Sequence, residues 1–594
     1  MKNILSILSR ASKKRFAFPL EGRFSLAFTE FSVREKKIFF TAVGILAITT
    51  LALLLEVNRS YMVKVPANGG TLVEGVLNIP AHVNPLLATS EIGSEADRDL
   101  TALIYSGLLR VDKSGNFIPD LSESYNVSSD GLVYTFILKP DLVWHDGEKI
   151  SADDVVFTIK TAQDSRTKSP KRVSWDSVDV EKIDDRTITF TLKRPYAPFL
   201  ENATLGILPE HIWKTIDFNR FDTNNYNREP IGSGPYKIDS IETVTKDGDV
   251  IPVSYTLTAF KQFALGEPYI TTIKTVFYRS EAELENALKS GDVQAINGVS
   301  PETAKKLSLE GSRVENTPLP RVFAVFFNQN EAPLFADANV RKALALAVDK
   351  QTIIDNVLAT YGVPLDSPIP PGSIGYSKYV PEKSREERLL TARTLLKKSG
   401  WKFDEKANHW TKTVKKERMI LQFSLSTSEA QELKAVAQEL KASWAELGVP
   451  VEVRVFATGD LKETIMRPRK FEALFFGQVL GRDGDPYPFW HSSQRLDPGL
   501  NIASYTNTKV DKILDGARLE SDLKKRIKAY ESFKSEVEND APAIFIYAPE
   551  FLYIVPQKVH GVDLTYISSA SERFLNVYEW YINTDGVWKI FVRD

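Results

Sequence analysis

The sequence predicts a mixed α/β protein of several domains that carries one membrane-spanning helix near its N-terminus. Three observations predict it: a single apolar run without charges, helix and strand signals that alternate along the rest of the chain, and a length of 594 residues, which exceeds what one hydrophobic core can organise. Hydrophobic residues form 43% and charged residues 26% of the chain, a balance that is typical of globular proteins and excludes a disordered or multi-span membrane protein.

Composition excludes several kinds of chemistry. The chain has no cysteine, so disulfides, thiolate catalysis, Cys-ligated zinc and a lipid-modified cysteine anchor are all excluded. No two of its six histidines have the spacing of a helical metal site, so no metal and no other cofactor is expected. The net charge of −2 predicts no nucleic-acid partner.

The apolar run, residues 38–55, reads IFFTAVGILAITTLALLL and predicts a transmembrane anchor. As a helix it would be about 27 Å long, close to the hydrocarbon thickness of a bilayer. Nine basic and three acidic residues precede it, so the positive-inside rule makes residues 1–37 a basic cytoplasmic tail and places the bulk of the chain on the extracytoplasmic side, in the periplasm or outside the cell.

A cleavable signal peptide and a buried core helix are the alternatives to this anchor. The long basic segment, the length of the apolar run and the lack of a small-x-small cleavage site favour an uncleaved, single-pass anchor in the cell membrane. A short polar tether is expected over residues 56–68.

Regular elements are legible beyond the tether from apolar periodicity and from capping residues. The predicted elements are strands through most of 125–194, a helix between Ser280 and Gly291 with a strand over 293–296, helices over 338–358 and 385–398, and a helix from Ser428 to Gly448 followed by the strand VPVEVRVF.

Five short blocks of sequence carry the functional interpretation. They are residues 118–160, 231–238 (IGSGPYKI), 339–354 (NVRKALALAVDKQTII), 484–493 (GDPYPFWHSS) and 501–514 (NIASYTNTKVDKIL). In the first block a D-G-x-x-Y-T-F strand, an H-D-G turn and the helix start S-A-D-D-V follow one another. In this order the blocks resemble the periplasmic oligopeptide- and dipeptide-binding proteins, family 5 of the bacterial extracellular solute-binding proteins, which serve ATP-driven importers. The resemblance extends from about Gly69 to the C-terminus.

The residues of these blocks favour structural roles over catalysis. His145, Asp146 and Gly147 predict a tight turn, because Gly147 supplies a positive φ. Ser151 predicts a helix cap. The motif Gly232-Ser-Gly-Pro lacks the lysine of a phosphate loop and predicts a bend where the chain crosses between domains, and no nucleophile elbow is present. The protein is therefore not expected to be an enzyme.

The resemblance implies a two-lobed, three-domain periplasmic-binding-protein-like fold. Domain I would comprise residues 69–108, 230–322 and 552–594. Domain II, a strand-rich insert, would comprise residues 109–229, and domain III residues 323–551. The implied mechanism is hinge closure around a ligand that contacts both lobes.

The resemblance also implies where the ligand lies, because relatives hold an extended peptide between the lobes as an added strand. The implied ligand-binding residues are Thr89, Ser90, Glu91 and Ile92 in one lobe and Gln478, Val479, Leu480, Gly481, Arg482 and Asp483 in the other. Peptide-binding relatives carry an aspartate at the position of Arg482, where it pairs with the ligand ammonium, and an aromatic residue at the position of Val479. Either Asp483 replaces that aspartate, or the ligand presents an anion or no free amine.

Three functions are compatible with these features. The favoured one is the peptide receptor of an ABC importer, with permease subunits and their cytoplasmic ATPase as partners and with the receptor itself a monomer. The second is a receptor for a non-peptide solute, such as an oligosaccharide or an anion, which Arg482 and Val479 would suit. The third is an envelope hydrolase or wall-binding module that uses the same fold without transport.

Overall fold

The computed structural model describes residues 31–89, 93–246, 248–381 and 383–592. These residues form two compact units. One comprises the described residues up to Ala67 and those after Asn583, and the other is Asn68–Asn583.

Helices and strands alternate along the chain, as the sequence predicts. The helices are α1 Val33–Tyr61, α2 Glu95–Ile104, α3 Ala152–Gln163, α4 Arg172–Trp175, α5 Phe199–Asn202, α6 Glu210–Trp213, α7 Glu281–Ser290, α8 Pro301–Leu309, α9 Ala338–Ala347, α10 Lys350–Val357, α11 Arg385–Lys398, α12 Gln431–Leu447, α13 Thr458–Asp460, α14 Tyr487–Trp490, α15 Thr508–Leu519 and α16 Leu523–Asp540. The strands are β1 Met62–Ala67, β2 Thr71–Leu77, β3 Leu109–Val111, β4 Phe117–Pro119, β5 Ser122–Val127, β6 Val133–Leu138, β7 Val178–Lys182, β8 Thr187–Leu192, β9 Tyr236–Lys246, β10 Asp249–Ala259, β11 Thr272–Tyr278, β12 Ala295–Asn297, β13 Val314–Pro318, β14 Arg321–Phe327, β15 Gly362–Pro364, β16 Lys402–Asp404, β17 His409–Val414, β18 Glu417–Ile420, β19 Phe423–Ser428, β20 Val451–Phe456, β21 Ala473–Val479, β22 Ala543–Ile554 and β23 Asn583–Trp588.

The smaller unit contains the predicted anchor. Helix α1 has 29 residues, begins at a capping box formed by Ser32 and Glu35, and includes all of residues 38–55. It buries none of its side chains, and within the described part of the chain it is the one helix long and apolar enough to cross a membrane. Most of the predicted cytoplasmic tail, residues 1–30, lies outside the described residues.

The polar tether predicted over residues 56–68 is wrong. The helix continues to Tyr61, and Met62–Ala67 then forms strand β1, which pairs with β23 near the C-terminus. The indole N–H of Trp588 also donates a hydrogen bond to the Asn58 side chain at 2.7 Å. The polar composition of residues 56–68 indicated an irregular segment, but β23, which is distant in sequence, provides hydrogen-bond partners for the main chain of β1.

A twelve-stranded mixed sheet dominates the larger unit. Its main order is β20-β19-β21-β14-β22-β12-β2-β11-β10-β9, and β13 and β15 also pair with β22. Strand β22 pairs with β14 through its first half and with β12 and β13 through its second half, so it joins both halves of the sheet. The boundary predicted between residues 551 and 552 falls inside this strand, and the three-domain division stays a prediction.

The strands predicted through most of 125–194 are confirmed, and they form a four-stranded antiparallel sheet with the order β5-β6-β8-β7. Phe136, Ile188 and Phe190 point to its core and are fully buried. Ser151 caps α3 as predicted, with Asp154 completing a capping box. Separate small sheets pair β3 with β4 and β16 with β17 and β18.

Most of the predicted helix ends are confirmed. Ser280 caps α7, and Gly291 ends it with a φ of 83°. Gly448, with a φ of 88°, ends α12. The single helix predicted over 338–358 is wrong, because Val348 is extended and Asp349 caps a second helix, α10.

The turn at His145 packs against the predicted domain-crossing bend. Gly147 has a φ of 95°, and its N–H donates to the Trp144 carbonyl at 2.9 Å. The His145 ring accepts from the Gly232 N–H at 3.3 Å and contacts the Gly234 carbonyl at 3.1 Å. A Cβ on Gly232 would lie 2.0 Å from the carbonyl oxygen of Ile104, so only glycine fits this crossing. Burial lowers the pKa of His145 to about 4. These contacts support the predicted structural role of both motifs.

A fully buried ion triad lies beneath the cleft described below. The Arg573 guanidinium, with 0% exposure, contacts Glu74 of β2 at 2.6 Å and Asp99 of α2 at 2.5 Å. Tyr553 and Asn297 also donate hydrogen bonds to Glu74. Burial raises the pKa of Glu74, and Arg573 opposes that shift. The triad therefore fixes α2 and the segment around residue 573 on the sheet.

Candidate ligand-binding cleft

The cleft is a cavity of about 960 Å³ that all three predicted domains line. Arg98 contributes from predicted domain I, Glu201 from domain II and Val479 from domain III. This volume is at the upper end of the roughly 300–1,000 Å³ that ligand pockets usually occupy.

One face of helix α2 forms part of the wall. Glu95, Arg98, Thr101 and Tyr105 all line the cavity, because residues three or four apart lie on one side of a helix. Tyr105 is only 4% exposed, and the hydroxyls of Thr101 and Tyr105 are buried without a hydrogen-bond partner among the described residues. Buried polar groups of this kind are costly unless a water or a ligand pairs with them.

The second wall contains the end of strand β21. Strand β14 pairs with all seven residues of β21, whereas β19 pairs only with Ala473 and Leu474. The carbonyl of Phe475 points towards β19, where it accepts a hydrogen bond from Thr427 at 3.1 Å. Because main-chain groups alternate along a strand, those of Gly477 and Val479 point to the same side. No strand within the described ranges pairs with the main chain there.

The structure brings four of the predicted site residues to the cavity. Thr89, Val479, Gly481 and Arg482 line it. Ser90, Glu91 and Ile92 lie outside the described residues.

The other three predicted residues do not line the cavity. Gln478 is 3% exposed on the opposite face of β21, and Leu480 packs against a hydrophobic cluster of the larger unit. Asp483 points to Arg526, which contacts both carboxylate oxygens at 2.6 and 2.5 Å. Burial raises the pKa of Asp483 and Arg526 opposes that shift. Asp483 is therefore already paired and is not free to hold a ligand ammonium.

Arg482 is also paired within the protein. Its guanidinium forms an ion pair with Glu572 and donates to the carbonyl of Tyr566 at 2.7 Å. The positive charge of Arg482 is therefore neutralised by Glu572, which lies ninety positions further along the chain.

Three hydrogen bonds between described residues join predicted domains II and III across the cleft. The Glu201 carboxylate, on α5, accepts from the main-chain N–H groups of Arg482 and Asp483, both at 3.4 Å. The Ala197 N–H donates to the Arg518 carbonyl at 3.0 Å. Burial, and then Asp483 and Glu572, raise the pKa of Glu201.

Sequence reasoning missed Glu95, Arg321 and Glu432, which also line the cavity. Two features of the sequence could have drawn attention to these residues. Glu95 and Arg98 lie on the same face of α2 as Tyr105, and Arg321 is a charged residue at the start of the otherwise apolar strand β14. Neither signal says that the residue faces a cleft.

A mixed sheet with a large cleft lined by charged and polar residues suits a protein that binds a solute. Residues 116–497, well over half of the chain, match the family described as bacterial extracellular solute-binding proteins, family 5 Middle. The chain belongs to this family, which confirms the resemblance, the two-lobed α/β fold and the extracytoplasmic class of protein.

Relatives are similar over nearly their whole length. The oligopeptide-binding protein AppA of Bacillus subtilis is 29% identical over 524 residues, 87% of this chain and 92% of AppA. The structure of AppA in complex with a nonapeptide has a TM-score of 0.65 at 27% identity and covers 87% of this chain and 100% of that one. The structure of NikZ from Campylobacter jejuni, in complex with Ni(L-His), has a TM-score of 0.67 at 27% identity and covers 86% and 99%. Within this fold, therefore, solutes differ.

Proposed function

We propose that this protein is the membrane-anchored substrate-binding component of an ABC importer that captures peptides in its cleft. The lobes close on the peptide, and the closed form delivers it to permease subunits driven by a cytoplasmic ATPase. No bond of the peptide is made or broken in this process, so the protein acts as a receptor and not as an enzyme.

The free main-chain edge of β21 carries the proposal. Gly477 and Val479 direct main-chain groups towards the cleft side, where a peptide could add a strand. Recognition of the backbone suits a carrier, because every peptide has the same backbone whatever its side chains. The peptide complex of AppA, a relative of similar length, supports the same class of ligand.

A non-peptide solute is the second candidate, and the departure at Val479 favours it. Val479 is 58% exposed, so the wall lacks the aromatic surface that peptide-binding relatives present at this position. Arg482 no longer supports an anionic ligand, because Glu572 already neutralises it. Ligand released from the purified protein and weighed by mass spectrometry separates peptides from other solutes.

Helix α1 would hold the receptor beside its permease as a single-pass anchor, with the larger unit on the extracytoplasmic side. Tethering raises the local concentration of the receptor near its partner. Cell fractionation checks this: the anchored receptor stays with the membrane after a high-salt wash, whereas a cleaved one appears in the soluble extracytoplasmic fraction.

The main-chain proposal is tested by substituting one position in two ways. Val479→Pro removes an N–H that points to the cleft side and should weaken binding of the co-purified peptide at least about tenfold. Val479→Ala trims the same side chain and keeps the N–H, so it should bind within about threefold of the wild type in isothermal titration calorimetry. Equal affinities for the two variants would contradict recognition through this strand edge.

A further inference from the structure

Arg321 stands out among the charges of the cleft because nothing in the described residues pairs with its guanidinium. It begins β14 beside Val479 of β21 and lines the cavity. Its Nε is buried without a hydrogen-bond partner, and no carboxylate of the described chain lies within 4.0 Å of it. Burial lowers the pKa of Arg321, and Glu95 and Glu432 only partly offset this shift.

Glu95 is the matching unpaired acid. It is the first residue of α2, lines the same cavity, and its carboxylate has neither a hydrogen bond nor an ion pair within the part of the chain that the structure describes. Burial and Asp99 raise the pKa of Glu95, while Arg321 is among the cations that oppose the shift. Glu95 and Arg321 are therefore two opposite charges that line one cavity, each without a hydrogen-bond or ion-pair partner among the described residues.

The two other charges of the wall that act on Arg321, Arg98 and Glu432, already have hydrogen-bond partners. Arg98 donates to the carbonyls of Thr89 and Gly93, and Glu432 accepts from the Tyr547 hydroxyl at 2.5 Å. With Glu95 and Arg321, these side chains supply two negative and two positive charges. A ligand with a net charge would unbalance the set, whereas one that carries both signs satisfies Glu95 and Arg321 together.

We propose that Glu95 and Arg321 recognise the two opposite charges of a zwitterionic ligand, with an ammonium at Glu95 and a carboxylate at Arg321. Under the proposed function, on which this inference rests, the ligand is a short peptide with both termini free. Thr101 and Tyr105, whose hydroxyls are buried without a partner among the described residues, belong to the same wall. Glu95 and Arg321 then replace the internally paired Asp483 and Arg482 as the charges that select ligands.

The test uses the full-length chain in detergent and alanine peptides of two to five residues, each also prepared with an amidated C-terminus or an acetylated N-terminus. Titration calorimetry should give at least about 30-fold weaker binding after either modification. Arg321→Met should remove the penalty of amidation and Glu95→Gln that of acetylation, because the group that each modification removes then has no partner. Arg454→Met, the loss of an exposed arginine on β20, is the matched control and should behave as wild type.

Thermal unfolding shows whether the variants fold. If Arg321→Met does not, Arg321→Lys replaces it, and this variant should retain part of the preference for a free carboxylate. If modified and free peptides bind alike, or if the variants discriminate as the wild type does, the Glu95–Arg321 assignment is wrong while peptide capture stands. If the wild type binds no peptide and releases only a non-peptide solute, the proposed function and this inference both fail.

Discussion

Replacing Arg573 with methionine should strongly destabilise the larger unit. The guanidinium is fully buried and makes two hydrogen bonds to Glu74 and two to Asp99. Removing one partner from a buried ion network costs about 3–5 kcal/mol, because the remaining charges lose their compensation. With an unfolding entropy of roughly 2 cal/mol/K per residue, a unit of roughly 500 residues such as Asn68–Asn583 loses about 1 °C of Tm per kcal/mol, so the Tm should fall by about 3–5 °C.

The loss should depend on pH. Without Arg573, the guanidinium that opposes the effect of burial is lost, so the folded-state pKa of Glu74 rises further above its unfolded value. Stability from such groups is present at low pH and is lost as the pH rises through the folded-state pKa. The difference from wild type should therefore be larger at pH 7.5 than at pH 5.

Denaturant unfolding at both pH values measures this difference in the free energy of unfolding. The triple variant Glu74→Gln, Asp99→Asn and Arg573→Met removes all three charges and should recover most of the lost stability. A deficit below about 1 kcal/mol, or one that grows towards pH 5, would refute the view that two uncompensated carboxylates cause it. Ligand affinity should fall as well, because Asp99 holds the helix that carries Glu95, and Glu572 adjoins Arg573.

Three further outcomes are expected. Burial lowers the pKa of His145 to about 4, so its contribution to stability is present above the unfolded pKa of about 6.5 and is lost as the pH falls. Between pH 7.5 and pH 5, the wild type should therefore lose about 2 kcal/mol more free energy of unfolding than His145→Gln in denaturant unfolding. Parallel pH dependences of the two proteins would contradict this. Glu201→Gln removes a buried carboxylate that Asp483 and Glu572 repel, and the two N–H contacts of Glu201, at 3.4 Å, are too long to outweigh the relief of this repulsion. The unliganded variant should therefore be more compact than the wild type in small-angle X-ray scattering at pH 7.5. An increased radius of gyration would show instead that Glu201 holds the lobes together. Glu572→Gln should free Arg482 and strengthen binding of peptides with acidic side chains by about tenfold in calorimetry, while the same peptides with Asn or Gln in place of the acids should gain nothing. Unchanged affinity for the acidic peptides would mean that Glu572 does not mask Arg482.

Local sequence predicted the elements that depend on local interactions. Ser280 and Ser151 cap helices where the sequence places them, and Gly448 ends α12. Such caps join groups a few residues apart, so the pattern contains all the necessary information. The error at 338–358 is also local in origin, since Asp349 competes for the backbone and starts a new helix.

The segment after the anchor and the charges of the cleft could not be predicted in this way. Strand β1 exists because β23, near the other end of the chain, pairs with it. The sequence left open whether Arg482 meets an anionic ligand, and in the structure Glu572 neutralises it. Arg321 drew no attention in the sequence, although it is the cleft arginine that lacks a partner among the described residues.

The sequence by itself determined the family, a helix long and apolar enough to span a membrane, and most helix ends, because these follow from ordered motifs, apolar length and short-range hydrogen bonds. Only the tertiary structure decided which charges face the ligand. Whether a charge is paired depends on residues that are distant in sequence and meet only after folding, as Arg482 and Glu572 do in the cleft.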